Sequence, residues 1–129
     1  MNASHYRRFT YIQREYLKEN TSTDNIMEKI KIGITHGDIN GVGYEMILKT
    51  FQTEGMASLC TAIVYGSPKA AAYHKKAINC QTGFQLVDSA DMAKEGVLNM
   101  VNCFGEEEQK IEFGRPSEEA GKAALVALN

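Results

Sequence analysis

The chain has 129 residues, 43% hydrophobic and 23% charged, with 14 Lys and Arg against 16 Asp and Glu for a formal net charge of −2. That length suits one modest domain, and the apolar share is that of a folding chain rather than a disordered one. No basic patch recommends nucleic acid as a partner, and no apolar run nears the ~20 residues that cross a bilayer.

Residues 1–26 are rich in Asn, Thr, Ser, Tyr and charge, with no clear period. Phe9, Ile12 and Tyr16 make at most a weak helical face. Arg7-Arg8 lacks the apolar stretch of an export signal. A disordered leader is expected here, with Met27, just ahead of the first strand, as an alternative start.

From Ile30 onward strands and helices alternate. Ile30–Thr35 reads as a strand and 36–43 as a loop. Tyr44–Thr53 reads as a helix with Ile47, Leu48 and Phe51 on one face. Leu59–Tyr65 is a near-continuous apolar run, as in a strand covered on both faces. Ser67 and Pro68 are an N-cap and first-position pair for a helix over Pro68–Ala77, which carries Ala71, Ala72 and Ala77. Phe84–Val87 is a short strand. Asp88 or Ser89 caps a brief helix reaching about Lys94, and Val97–Phe104 alternates as a further strand. Glu106-Glu107-Glu108 marks a solvated turn. Ser117 opens a last helix whose first-turn acids, Glu118 and Glu119, suit the dipole. That helix runs through Leu128, and its apolar ending reads as a sequence cut within or just after it. The alternation predicts an α/β fold with a mainly parallel sheet and helices on both faces. Residues 27–129 make one such unit. Ligands in these folds sit beyond the carboxyl ends of strands, where the 36–43 loop lies.

That loop is the most informative stretch. Glycines at 37, 41 and 43 permit a sharp turn and close backbone approach to a ligand. Asp38 and Asn40 are placed to hydrogen-bond their own backbone. The loop empties onto a helix N-terminus, where unpaired N–H groups favour anions. Its Gly-x3-Gly-x-Gly spacing is not the dinucleotide fingerprint G-x-G-x-x-G, and no Gly-Lys-Ser/Thr of a Walker A loop occurs. A connector without a ligand remains the plain alternative.

Other reactive side chains offer little. Cys60, Cys80 and Cys103 are odd in number and lack disulfide or zinc-knuckle spacing. Cys60 and Cys103 fall in predicted strands, as small hydrophobes, and a reducing cytoplasm follows. Of His5, His36 and His74, only His36 in the loop is well placed for a ligand; His74 sits beside Lys75 and Lys76, which repel a cation, and no three-histidine metal site is expected. Ser67 reads as an N-cap rather than a nucleophile. Lys49, Lys69, Lys75, Lys76, Lys94 and Lys122 read as solvated helix faces.

Thr35-His36-Gly37-Asp38-Ile39-Asn40-Gly41-Val42-Gly43-Tyr44-Glu45 resembles the opening signature of the 4-hydroxythreonine-4-phosphate dehydrogenases, Thr-x-Gly-Asp-Pro-x-Gly-Ile-Gly-Pro-Glu. Residues 114–124 resemble that family's Gly-x-x-Ser-x-x-x-Gly-x-x-Ala helix start, and Ile63–Pro68 its second strand and turn. The resemblance spans Met27–Asn129 but only the N-terminal part of the family's length. Ile39 and Tyr44 depart from it, standing where prolines are usual; the first loosens the turn and the second loses a favoured helix start.

The resemblance implies a fold like that of the isocitrate and isopropylmalate dehydrogenases. It implies a cytoplasmic, homodimeric, NAD-dependent enzyme of pyridoxal phosphate synthesis that oxidises a phosphorylated hydroxy amino acid. A divalent metal (Zn, Mg or Co) held by three histidines would polarise the oxygen. Those histidines and the substrate-gripping residues belong to family segments beyond the matched one. This chain is therefore expected to hold no catalytic and no metal-binding residue of its own and to be inactive alone. Gly37, Asp38, Asn40 and Gly41 are its candidate cofactor contacts. A relative acting on phosphorylated threonate or erythronate, and a small self-standing anion-binding α/β module, are the alternatives.

Overall fold

The computed structural model describes residues 29–129; the expected leader and the Met27 start lie outside them. Strands β1 (Lys31–Thr35), β2 (Thr61–Gly66), β3 (Gln85–Val87) and β4 (Asn99–Asn102) alternate with helices α1 (Gly43–Gln52), α2 (Pro68–Ala77) and α3 (Glu118–Leu128). The sheet order is β1-β2-β4-β3 and every pairing is parallel. This is the α/β fold expected of the alternation.

β2 is central and buried along nearly its whole length, in keeping with its near-continuous apolar sequence. Ile34, Val64, Met100 and Leu86 stand side by side across the four strands. The first three pack with Ala62, Leu98, Ile47, Ala70, Ala71, Ala120 and Ala123 in one core. Small residues dominate the helix faces of that core, so the helices can approach the sheet closely.

The caps follow the sequence. The Ser67 hydroxyl accepts from the Ala70 N–H at 3.2 Å with Pro68 behind it. The Ser117 hydroxyl accepts from the Ala120 N–H at 3.1 Å. Each meets an otherwise orphaned first-turn amide.

Three local expectations need correction. The helix after Ser89 is a single 3-10 turn, Ala90–Met92. The strand expected over Val97–Phe104 shortens to Asn99–Asn102: at its end the Asn102 Oδ1 accepts from the Phe104 N–H at 3.0 Å, and at its start buried Asn99 turns its amide on the preceding loop. Its Nδ2 donates to the Lys94 and Val97 carbonyls and its Oδ1 accepts from the Lys94 N–H. Cys60, just before β2, and Cys103, just after β4, flank strands rather than sit in them. In α2 the buried face is Ala70, Ala71 and His74, while Ala72 and Ala77 are exposed.

Candidate functional site: the glycine loop and its anchors

The loop between β1 and α1 starts with a residue that only glycine makes easy. Gly37 has φ +66°, in the left-handed region, where a Cβ costs energy. Asp38 then forms the turn: its Oδ1 accepts from the Asn40 N–H at 2.9 Å and its carbonyl from the Gly41 N–H at 3.0 Å. At the end of the loop, a Cβ on Gly43 would overlap the His36 carbonyl. The turn is therefore tight by construction.

Asn40 does more than turn the chain. It is buried, and its side chain reaches residues far along the sequence. Oδ1 accepts from the Glu112 N–H at 2.7 Å, while Nδ2 donates to the Arg115 carbonyl at 2.7 Å and the Ser117 hydroxyl at 3.3 Å. Its backbone carbonyl accepts from the Gly114 N–H at 2.8 Å. One residue thus sews the glycine loop to the segment that launches α3. The stretches 35–45 and 114–124, which carry the sequence resemblance, are joined physically here.

Beneath the loop lies a cluster absent from the sequence-based expectations. His36, read from the sequence as a polar loop residue with a place near a ligand as the alternative, is fully buried. Its Nε2 lies 3.2 Å from the Ala123 carbonyl and its Nδ1 2.8 Å from the Tyr44 hydroxyl. A carbonyl can only accept, so Nε2 carries the hydrogen, and Nδ1 accepts a hydrogen bond from the Tyr44 O–H. The Tyr44 oxygen also accepts from the Ser67 N–H at 2.9 Å. His74, also buried, donates from Nε2 to the Ile39 carbonyl at 2.6 Å. The rings stack through the core: His36 meets Tyr44 edge-on at 5.3 Å, and Tyr44 meets His74 at 5.2 Å.

The two positions that depart from the family signature are both structural. Ile39 is fully buried and anchors the turn in the core, so the loosening expected from losing a proline is offset by apolar burial. Tyr44 heads the fully buried side chains by size and supplies the hydroxyl on which His36 and Ser67 converge. One signal in the sequence pointed this way: His74 continues the helical stripe of Ala70 and Ala71 at spacings of four and three.

Burial also sets the chemistry. It lowers the pKa of His36, only partly offset by the bond to Ala123 and reinforced by nearby His74. It raises the Tyr44 phenol well above its ordinary range. Cys103, at the end of β4, is pushed up by burial too, which leaves a protonated thiol and a poor nucleophile. The imidazoles fit a metal badly, since each Nε2 is taken by a carbonyl; among the described residues no cluster of three His, Cys, Asp or Glu is placed for a cation. Of the candidate cofactor contacts, Asp38 is exposed, Gly37 and Gly41 are half-buried, and Asn40 is spent on protein partners. A surface cavity of about 550 Å³ lies apart from this loop, between Cys103, Phe104 and the face of α3 that carries Glu119 and Lys122.

No protein-family model matches the chain. A 4-hydroxythreonine-4-phosphate dehydrogenase from Bacteroides thetaiotaomicron is 59% identical over 100 residues, which are 78% of this chain and 27% of that protein. One from Prosthecochloris aestuarii is 34% identical over 101 residues, 73% of this chain and 29% of that protein. A Fusobacterium nucleatum protein, provisionally named a D-threonate 4-phosphate dehydrogenase, is 28% identical over 99 residues, 75% of this chain and 30% of its own length. The crystal structure of the Burkholderia phymatum 4-hydroxythreonine-4-phosphate dehydrogenase shares the fold, with a TM-score of 0.66 at 24% identity over 78% of this chain and 31% of that one. The chain thus resembles the 4-hydroxythreonine-4-phosphate dehydrogenases in sequence and in fold, as an N-terminal fragment spanning under a third of the length of the relatives it matches.

Proposed function

We propose that this chain supplies the glycine-loop portion of an NAD-dependent 4-hydroxythreonine-4-phosphate dehydrogenase of pyridoxal phosphate synthesis, and that it is inactive by itself. The observation that carries the reading is the 59% identity over 100 residues to a dehydrogenase of that name. The loop's position at the carboxyl end of β1 suits a ligand-facing role. Residues 27–129 are the N-terminal part of the catalytic unit, preceded by a leader.

In this reading Gly37 and Gly41 bring backbone close to the cofactor and Asp38 offers it an exposed carboxylate. Asn40 acts through shape, since its amide is engaged elsewhere. Val42 gives α1 no side-chain cap, which leaves first-turn amides for an anionic group. Oxidation of a secondary alcohol needs a group to take the hydroxyl proton and an acceptor for the hydride. His36, His74 and Tyr44 are occupied in the core, so the proton acceptor and the family's divalent metal belong to other parts of the enzyme. A homodimer in the cytoplasm goes with the same reading.

The test is a chimera. The 129 residues are fused to the part of the Bacteroides thetaiotaomicron enzyme that the match leaves uncovered. NADH formation is then followed with 4-hydroxythreonine 4-phosphate and, separately, with phosphorylated threonate and erythronate. The chimera should oxidise the first in a metal-dependent way while the 129-residue chain alone does not. Turnover by the chain alone at a normal enzymatic rate refutes the proposal, and turnover only of the threonate or erythronate compounds supports the second reading, for which the Fusobacterium likeness speaks.

A further inference from the structure

We propose that His36 and Tyr44 form a proton-operated latch, closed while His36 is neutral, that holds α3 and the turn after β2 against the end of β1. It is independent of what the glycine loop binds.

In the closed state both His36 nitrogens and the Tyr44 hydroxyl are hydrogen-bonded. The His36 Nε2–H donates to the Ala123 carbonyl in α3. The Tyr44 O–H donates to His36 Nδ1, and the Ser67 N–H donates to the Tyr44 oxygen. Three segments, separated by up to 87 positions, meet at two side chains.

A second proton on His36 has one place to go, Nδ1. The Tyr44 hydrogen must then swing to the Ser67 carbonyl, 3.1 Å away. The hydrogen bonds can thus be rearranged, but the charge cannot be matched. From α1 the imidazole faces the neutral phenol of Tyr44, and from α2 it faces His74. From the end of β4 it faces the Phe104 ring, with the burial-protonated Cys103 thiol beside Tyr44. On α3, Glu119 and Lys122 near Ala123 are exposed and line the outer cavity. In its own loop, Asp38 turns a carboxylate oxygen to the Asn40 N–H, and Glu45 on α1 pairs with Lys49 at the surface. An imidazolium here is a buried cation with no carboxylate among its hydrogen-bond partners, so the folded state resists the proton.

The sign follows. The folded pKa of His36 is depressed below its unfolded value of about 6.5. Above that pH neither state gains from protonation. As pH falls below it, the unfolded chain binds the proton first, and stability is lost down to the folded pKa.

The test uses the full chain. Urea unfolding is followed from pH 7.5 to 5.0 for wild type and His36→Gln, whose amide can keep the bond to Ala123 without titrating. The folded-to-unfolded ratio of wild type, relative to the variant, should fall by up to tenfold per pH unit below about 6.5; parallel curves overturn the proposal. Should the variant not fold, NMR of the wild-type imidazoles gives an independent reading. His36 should hold the Nε2–H tautomer and titrate below the ordinary histidine range, and titration at or above that range overturns it. Amide exchange locates the opening. Protection relative to the intrinsic exchange rate at Ser67 and along Ala123–Ala127 should fall on acidification before that at Ile63 and Val64, whereas simultaneous loss would mean ordinary acid unfolding and no latch.

Discussion

Asn40 is the residue on which the site's geometry turns. Asn40→Ala would strand the Glu112 N–H and the Arg115 carbonyl, two partly buried groups, each costing about 1–3 kcal/mol when unsatisfied. A loss of roughly 2–4 kcal/mol is expected, read as a lower urea midpoint with an unchanged slope. Gly66 gives a second residue-scale prediction. A Cβ there would overlap the Tyr44 hydroxyl and crowd the His36 ring at 3.1 Å. Gly66→Ala should cost about 1–3 kcal/mol by overpacking. In a Tyr44→Phe background the overlap is relieved, so the double variant should lose clearly less than the sum of the singles. Strict additivity in a double-mutant cycle would contradict the packing described.

What could be read from the sequence divides at this scale. The Ser67 and Ser117 caps were legible because a cap and its amide are three residues apart. The turn-forming part of Asp38 was legible for the same reason. The partners of Asn40 were not, since they lie 72 to 77 residues away. Nor was the burial of His36, because a polar side chain in a loop looks the same in a sequence whether it faces water or a backbone carbonyl; His74 left only its place in the stripe of Ala70 and Ala71.

At the scale of elements, β2 and α2 declare themselves through a near-continuous apolar run and a Ser-Pro start. β4 is shorter than the sequence suggests, because periodicity does not mark where side-chain amides such as those of Asn99 and Asn102 turn to bond the flanking loops. β1 is the element with an unfinished look. It pairs with β2 alone among the described strands, and Ile32 on it is 44% exposed. α3 likewise presents Leu125, Val126 and Leu128 outward. An open edge beside apolar side chains favours association. The isolated chain should therefore sediment as oligomers at moderate concentration, and Ile32→Lys, which puts a charge on that edge, should shift it toward monomer. A monomer at all concentrations for the unmodified chain would show that these faces are not adhesive.

For the whole molecule, the all-parallel order explains why so much depends on distant contacts. Parallel neighbours cannot be joined by a tight hairpin, so each pairing waits on a crossover. The bond from His36 to Ala123 extends this rule to the last helix. A chain made from its N-terminus exposes His36 long before its cap exists. At about 5–20 residues per second, the 87 intervening positions take roughly 4–17 s to synthesise. Until α3 leaves the ribosome, the His36 Nε2–H lacks the Ala123 carbonyl and the Asn40 amide lacks the Ser117 hydroxyl at the mouth of that helix, although the Tyr44 hydroxyl already has His36 and Ser67 to meet. Nascent chains stalled before Ser117 should accordingly remain sensitive to protease within 36–66, and chains extended past Leu128 should become resistant there. The glycine loop is thus closed from behind, by residues made long after it.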